Sequence, residues 1–104
     1  MSQYDDDTAG GVATEKKTKT KKPTPWNVLL WNDDYTTMEF VVHILEQVFH
    51  HSPSAATQIM LQVHNKGKGV AGTYSRDMAE TRCAQVLNLA KDAGHPLKCT
   101  TEPA

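Results

Sequence analysis

The densest group of polar side chains in the sequence is Asn32-Asp33-Asp34. One amide and two carboxylates in succession supply many hydrogen-bond acceptors, so the cluster suits a cation, either a metal ion or an ammonium group. The same residue types also form turns and cap helices without any ligand. Both the structural and the ligand-binding interpretation therefore stand at this point.

The spacing of the cluster favours one kind of cation. A metal ion would need further oxygen ligands at defined positions, and the sequence has no EF-hand pattern. A hydrolase with two carboxylates is disfavoured because adjacent residues on a tight turn rarely reach one reacting atom from opposite sides. A single ammonium group needs only two or three acceptors. We therefore expect an ammonium ligand, no metal and no cofactor.

Histidines are the other candidates for chemistry, and most have an ordinary structural interpretation. His64 falls near the end of a helix, where the helix dipole favours it without any ligand. His50-His51 is interpreted as an exposed helix end, with weak metal binding as the alternative. His43 falls on a polar helix side and His95 falls in a turn. No Ser or Cys has a recognisable nucleophile context, and no glycine-rich loop has phosphate-binding spacing.

Met38, Val41 and Met60 fall on helices near this cluster. Methionines at helical spacing usually belong to a core, but methionine also lines adaptable pockets that accept several apolar side chains. Cys83 and Cys99 are far apart in the sequence and have no C-x-x-C spacing. This argues against a disulfide scaffold or a zinc site and fits a reducing cytoplasm.

The elements that position these residues follow from hydrophobic periodicity and helix-end signals. Six elements are predicted in the order β-α-α-β-α-β, and the three strands cover residues 26–31, 69–74 and 97–101. The first helix begins with a Thr36/Glu39 capping box and stops near His50-His51. The second helix is capped by Ser52 and ended by Gly67, and the third is capped by Ser75 and ended by Gly94. The predicted buried faces are Val41, Ile44, Leu45 and Val48 in the first helix, Ala56, Ile59, Met60 and Val63 in the second, and Cys83, Val86, Leu87 and Ala90 in the third.

This order predicts an α+β fold, in which a small three-stranded antiparallel sheet packs against three helices. Residues 26–104 are predicted to form the single domain. Residues 1–25 contain few large apolar residues and a run of lysines, and we expect a disordered N-terminal extension. The extension either increases solubility or is a handle for a partner; binding of nucleic acid by its lysines is a third possibility.

Composition limits the class of partner. The net charge is −1 at pH 7 and the hydrophobic fraction is 38%. Residues 23–104 hold four Lys and two Arg against four Asp and four Glu, a net charge of −2. Nucleic-acid binding uses a basic face, so it is disfavoured for the domain. No apolar run approaches the roughly 20 residues of a membrane helix, and no segment resembles a signal peptide. We expect a cytoplasmic monomer.

Several blocks of the sequence resemble the ClpS family of protease adaptors. Residues 32–41, NDDYTTMEFV, are similar to the family signature N-D-D-Y-T-P-M-E-F-V, except that Thr37 stands where the family often has Pro. Residues 56–64, ATQIMLQVH, are similar to A-T-x-x-M-L-x-V-H. Gly67-Lys68 with Gly72, residues 79–82 and residues 95–100 match later blocks in the same order. The resemblance covers residues 26–102 and implies a β-α-α-β-α-β sandwich.

The resemblance also implies a function and roles for individual residues. Members of the family bind proteins that begin with Leu, Phe, Tyr or Trp, which are N-end-rule signals, and deliver them to the ClpA unfoldase for degradation by ClpP. By this resemblance, Asn32, Asp34 and His64 hold the α-amino group of the substrate, and Asp33 supports the acidic rim. The side-chain pocket is expected to be formed by Thr36, Met38, Val41, Met60, Val63 and Leu97.

Asp77 and Arg82 match positions that dock the N-terminal domain of ClpA, and the unfoldase would engage the N-terminal extension during delivery. Two hypotheses from other classes remain open at this stage. One is an enzyme that uses Asp33, Asp34 and His64, which turnover of peptides would reveal. The other is a ribosome- or RNA-associated module that uses the lysine run, which salt-dependent RNA binding would reveal.

Overall fold

A computed structural model describes residues 23–104, so the predicted N-terminal extension lies almost entirely outside the described residues. The elements are β1 (Trp26–Trp31), α1 (Met38–Gln47), α2 (Pro53–Lys66), β2 (Lys68–Tyr74), α3 (Arg76–Ala93) and β3 (Lys98–Pro103). The predicted order β-α-α-β-α-β is confirmed. Strand β2 begins one residue earlier than predicted, and β3 lies over residues 98–103 instead of 97–101.

The sheet has the order β2-β1-β3, and both pairs are antiparallel. The first strand is therefore the central one, and its last residue, Trp31, is paired with Lys68 on one side and Lys98 on the other. Side chains alternate between the two faces of a strand. Val28 and Leu30 belong to the core, which the helices cover. Trp31 therefore lies on the opposite face.

The predicted buried faces of α1 and α2 are largely confirmed. Val41, Ile44, Leu45 and Val48 of the first face are buried, as are Ala56, Met60 and Val63 of the second, while Ile59 is partly buried. In α3 the prediction is wrong for Leu87, which is 43% exposed. The buried residues of α3 are Ala79, Val86 and Ala90. Leu87 lies about 100° around the helix from Val86, outside this narrow stripe.

Most of the predicted helix ends are confirmed. The hydroxyls of Ser52 and Ser75 accept hydrogen bonds from backbone N–H groups three residues later. Gly67 and Gly94 end α2 and α3 with positive φ angles of 90° and 78°, a conformation that glycine adopts without the steric cost of a Cβ atom. Helix α1 ends at Gln47, earlier than predicted, and His50 has a φ of 58°.

The prediction of a Thr36/Glu39 capping box is wrong. Helix α1 begins at Met38, and its N-cap is Thr37, whose hydroxyl accepts a hydrogen bond from the Phe40 N–H at 3.1 Å. The physical reason is that Asp33 binds both the N–H and the hydroxyl of Thr36. Thr36 thereby belongs to the loop, and the next threonine caps the helix.

The interpretation of His51 as part of an exposed helix end is also wrong. His51 is half-buried, and its Nε2 atom is hydrogen-bonded to the backbone carbonyl of Ala71 in β2. This bond ties the connection between α1 and α2 to the edge of the sheet. His50, by contrast, is exposed. Within residues 23–104, no helix has the length and apolar character needed to cross a membrane.

Candidate functional site

A cavity of about 290 Å³ opens where β1 ends, beside the start of α1 and the C-terminal half of α2. Its lining combines residues that are far apart in the sequence: Asn32, Asp33, Asp34, Thr36, Met38, Val41, Met60, Val63 and His64. All the residues predicted for substrate binding are in this set except Leu97. Leu97 is buried in the core and is not among the lining residues.

Polar and apolar residues occupy different depths of this cavity. Val41, Met60 and Val63 are buried and are 6%, 9% and 2% exposed, so they form an apolar floor. Asn32, Asp34 and His64 are exposed and form a polar rim. Met38 is 45% exposed and lies beside that rim at the start of α1. The cavity therefore suits a ligand with an apolar end and a cationic end.

Asp33 organises the loop between β1 and α1. Its Oδ1 atom accepts hydrogen bonds from the N–H groups of Tyr35 and Thr36 at 2.8 and 2.7 Å, and its Oδ2 atom accepts one from the Thr36 hydroxyl at 2.7 Å. Partial burial would raise the pKa of the Asp33 carboxyl, but these hydrogen bonds and the nearby His95 together hold its pKa below the ordinary value. Asp33 is thus a positioning residue, and Asp34 supplies the carboxylate of the rim.

The two halves of the rim are joined by the backbone. The N–H of Asn32 donates to the carbonyl of Gly67 at 2.9 Å. Gly67 ends α2, three residues after His64, and its left-handed conformation turns the chain into β2. The sequence elements that supply Asn32 and His64 are therefore fixed side by side, although they are 32 residues apart in the chain.

Two supporting residues were missed from the sequence. His95 was interpreted as an ordinary turn residue, but its ring packs on Phe40 with 4.3 Å between centroids and it lies near Asp33. Gly69 has no side chain, and a Cβ atom there would lie 2.9 Å from Val63 Cγ2, so the glycine allows α2 to approach β2 closely. A signal for Gly69 was present in the glycine-rich strand, whereas nothing near His95 in the sequence indicated its contacts.

The residues predicted to dock ClpA lie apart from the cavity, on α3. Asp77 is exposed in the first turn, and Arg82 is half-buried, with its guanidinium 5.9 Å from the centroid of the Tyr74 ring. Five residues of helix separate them by about 140°, so a partner that contacts both would wrap around α3. Arg82 also lines a second, shallower cavity of about 490 Å³ with Gln47, Val48, His50, Gln85, Asn88 and Leu89.

Metal binding has no support in the described part of the chain, where no group of three or more His, Cys, Asp or Glu side chains is placed to hold an ion. Cys83 and Cys99 are free thiols in contact, because the Cys83 thiol donates to the Cys99 carbonyl at 3.2 Å. Burial, followed by the proximity of Cys83, raises the pKa of the Cys99 thiol well above its ordinary value. Neither cysteine lines the cavity at the end of β1.

Comparison with known proteins identifies the family. Residues 21–100 match the family described as "ATP-dependent Clp protease adaptor protein ClpS". The ATP-dependent Clp protease adapter protein ClpS of Hyphomonas neptunium is 56% identical over 98 residues, which cover 94% of this chain and 83% of that protein. The protein of the same name from Desulfatibacillum aliphaticivorans is 52% identical over 103 residues, which cover 99% of both chains. The chain belongs to the ClpS family.

A solved structure supports the same assignment. Agrobacterium tumefaciens ClpS2 bound to L-phenylalaninamide is 41% identical to this chain, with a TM-score of 0.77, and the match covers 80% of this chain and all of that one. As a ClpS-family member, the chain is an adaptor of the Clp protease and not itself an enzyme. Its partners accordingly include components of that protease and the proteins that it degrades.

Proposed function

We propose that the cavity at the end of β1 binds the first residue of a substrate protein, with Leu, Phe, Tyr or Trp as the preferred residue. The observation that carries this proposal is the separation of an apolar floor from an exposed polar rim in one small cavity. Its volume of about 290 Å³ is at the lower limit of ordinary ligand pockets, and this suits a single side chain.

The rim matches the chemistry of a protein N-terminus. An α-ammonium group has three N–H donors, and the rim offers the Asn32 amide oxygen, the Asp34 carboxylate and a His64 ring nitrogen as acceptors. Hydrogen bonds to a charged group contribute about 1.5–3 kcal/mol each. Burial of an aromatic or leucine side chain against Val41, Met60 and Val63 adds about 1.5–3 kcal/mol. Only a residue that carries both groups can use both parts of the site.

The solved relative supports this proposal. L-Phenylalaninamide, to which the Agrobacterium tumefaciens ClpS2 is bound, combines a free α-amino group with an aromatic side chain. Thr36 and Met38 line the same cavity and are proposed to help shape the side-chain pocket. Leu97 remains a proposed contributor through the packing behind the floor, since it belongs to the same core as Val63.

We further propose that the adaptor acts in the cytoplasm as a monomer and delivers its substrates to the ClpA unfoldase. Asp77 and Arg82 are the proposed contacts with the ClpA N-terminal domain. The N-terminal extension, residues 1–25, is the proposed handle for the unfoldase. Asp77 and Arg82 do not line the cavity, so substrate binding and docking can be tested independently.

The central test compares peptides that differ only at the α-amino group. A fluorescent Phe-starting peptide should bind, and the acetylated form should bind at least roughly 100-fold more weakly, because about two charge-assisted bonds are lost. Asp34→Ala should weaken binding of the free peptide and leave the acetylated one unchanged. Asp92→Ala, a matched change at an exposed carboxylate of α3, should have no effect. Equal affinity for both peptides would exclude an ammonium site.

A further inference from the structure

The two cysteines of the chain, Cys83 and Cys99, meet where α3 packs on β3. They are 16 residues apart in the sequence, yet the Cys83 thiol donates to the Cys99 carbonyl oxygen at 3.2 Å. Both are free thiols, and neither lines the cavity at the end of β1. The proposed function therefore leaves them without a role. We call Cys83 and Cys99 the thiol pair.

The two members of the thiol pair differ in their access to solvent. Cys83 is half-buried, whereas Cys99 is buried in the core. A small oxidant in solution therefore reaches Cys83 first. Burial, followed by the proximity of Cys83, raises the pKa of the Cys99 thiol, so Cys99 stays protonated and does not start a reaction. Redox-sensitive cysteines are often accessible thiols that lie next to a second, resolving cysteine.

The backbone holds both members of the thiol pair in place. Cys99 lies in β3, where it is paired with Leu30 of the central strand. Cys83 lies in α3 between Ala79 and Val86, two buried residues that belong to the core. The two cysteine side chains therefore stay neighbours as long as α3 stays packed on β3.

We propose that the thiol pair is an oxidative modification site, at which a peroxide converts the two thiols into an intramolecular disulfide. With hydrogen peroxide, the Cys83 sulfur first attacks one oxygen, the O–O bond breaks, and Cys83 becomes a sulfenic acid as one water leaves. The Cys83 side chain then turns toward Cys99, whose sulfur attacks the Cys83 sulfur. The S–O bond breaks, and the hydroxyl group leaves as a second water with the Cys99 proton. The two thiols lose two electrons, and the peroxide gains them.

The disulfide would join an edge of the sheet to a helix. In the order β2-β1-β3, strand β3 has β1 as its neighbour on one side. The new bond ties this strand covalently to α3 and closes the loop over residues 83–99. Such a cross-link stabilises a fold mainly by restricting the unfolded chain. A dithiol such as dithiothreitol reverses the bond by exchange and becomes a cyclic disulfide itself.

Mass spectrometry of the full chain tests the bond directly. The purified protein is treated with hydrogen peroxide, and the remaining thiols are blocked with N-ethylmaleimide after unfolding. Trypsin cuts after Arg82 and Lys98, so the cysteines fall on separate peptides, residues 83–91 and 99–104, and neither peptide contains a methionine that peroxide would also oxidise. The expected product is these two peptides joined and lighter by two hydrogen atoms, from a protein that remains monomeric. Dithiothreitol should restore both labelled peptides.

Variants assign the roles within the thiol pair. In Cys99→Ser, Cys83 should stop at the sulfenic acid, which dimedone traps. In Cys83→Ser, Cys99 should stay reduced at the same peroxide concentration. Peroxide should raise the urea midpoint of wild type by about 1–2 M relative to Cys83→Ser treated in the same way, and dithiothreitol should reverse the rise. The treated Cys83→Ser protein is the matched control, since its methionines meet the same oxidant.

Three outcomes would overturn the inference. They are a Cys83 that proceeds to sulfinic acid while Cys99 stays reduced, a disulfide that appears only between two copies of the chain, and a joined peptide pair that leaves the urea midpoint unchanged. None of these measurements involves the cavity at the end of β1. Their failure would therefore leave the proposed function untouched, and failure of the peptide-binding tests would leave the thiol pair untouched.

Discussion

Two cavities of the described domain differ in the way that matters for ligand binding. The cavity beside α3 is the larger, at about 490 Å³ against about 290 Å³, yet the polar side chains of Gln47, His50, Gln85 and Asn88 lie among its apolar groups. The cavity at the end of β1 keeps polar groups at the rim and apolar groups below. Size is therefore a poor guide to a binding site here, and the separation of polarity by depth is a better one.

The largest expected effect separates the two cavities directly. His64→Ala should weaken binding of a Phe-starting peptide at least roughly tenfold, the contribution of one hydrogen bond to a charged group. Arg82→Ala should leave this affinity within about twofold, because Arg82 lines only the cavity beside α3. Peptide anisotropy and co-elution with the unfoldase should be measured in parallel, with His43→Ala as the control.

If the proposed division is correct, Arg82→Ala weakens co-elution and His64→Ala does not. Should Arg82→Ala impair peptide binding as strongly as His64→Ala, the two regions are not independent.

Gly69 gives a second comparison, because it affects the floor of the β1 cavity and leaves the cavity beside α3 unchanged. Gly69→Ala places a methyl group 2.9 Å from Val63 Cγ2, and valine cannot easily rotate away. Overpacking of this kind costs about 1–3 kcal/mol of unfolding free energy. Urea unfolding should show that loss, and peptide affinity should fall with it. The double variant Gly69→Ala/Val63→Ala should recover stability relative to Val63→Ala alone; no recovery would mean that the contact is relieved elsewhere.

Asp33 should make the β1 cavity sensitive to acid. Its pKa is below the ordinary value of 3.8, so its stabilising effect is complete above that pH and is lost as the pH falls through the lowered folded-state pKa. Asp33→Asn removes the acceptor of the Thr36 hydroxyl. At pH 7 we expect the free energy of unfolding to fall by about 1 kcal/mol and the peptide affinity to fall roughly fivefold.

In urea unfolding, the stability difference between wild type and Asp33→Asn should shrink as the pH is lowered below about 3.8. Asp92→Asn is the matched control and should show no such convergence. A difference that stays constant down to acid pH would show that the Asp33 hydrogen bonds do not depend on its charge.

Met38 should control selectivity more than affinity. At the rim, its side chain is expected to exclude Val and Ile, which carry bulk close to the backbone. Met38→Ala should therefore raise affinity for a Val-starting peptide relative to a Leu-starting one, by at least roughly twofold, because an exposed rim residue discriminates less than an enclosed pocket. Anisotropy with both peptides measures the ratio. An unchanged ratio would assign Met38 to packing alone.

The smallest effect concerns Thr37, the N-cap at the junction of the loop and α1. Thr37→Ala should cost about 1 kcal/mol of unfolding free energy, like the matched N-cap change Ser52→Ala. Thr37→Pro should cost less, because the observed φ of −72° already suits proline and a rigid residue lowers the entropy of the unfolded chain. Urea unfolding distinguishes the variants, and a larger loss for proline than for alanine would contradict this account.

The sequence predicted the fold well because its signals were local. Ser52, Pro53, Gly67, Ser75 and Gly94 act within one helical turn, and the residue types alone indicate their roles. The prediction of the α1 N-cap was wrong because two adjacent threonines were both suitable for that position. Only the hydrogen bonds of Asp33 to Thr36 decide between them. The prediction that Leu87 is buried was wrong because the width of the buried stripe depends on how α3 lies on the sheet.

The candidate site was predicted mainly through its resemblance to a family, since the acceptor cluster alone is more typical of a turn that caps a helix. The contacts that position it could not be predicted from local pattern. His95 and Phe40 are far apart in the sequence although their rings are in contact, and the Asn32–Gly67 hydrogen bond depends on the strand order. Such long-range contacts leave no periodic trace in the sequence.

The position of β1 between β2 and β3 has a consequence for the timing of folding. Among the strands of residues 23–104, β1 is synthesised first, but its pairing with β3 extends to Pro103, so one side of it has no partner until β3 has been made. Contacts of such long sequence separation slow folding. A nascent chain that already contains every residue of the cavity rim therefore still lacks the strand that braces it, and binding competence comes late in biosynthesis.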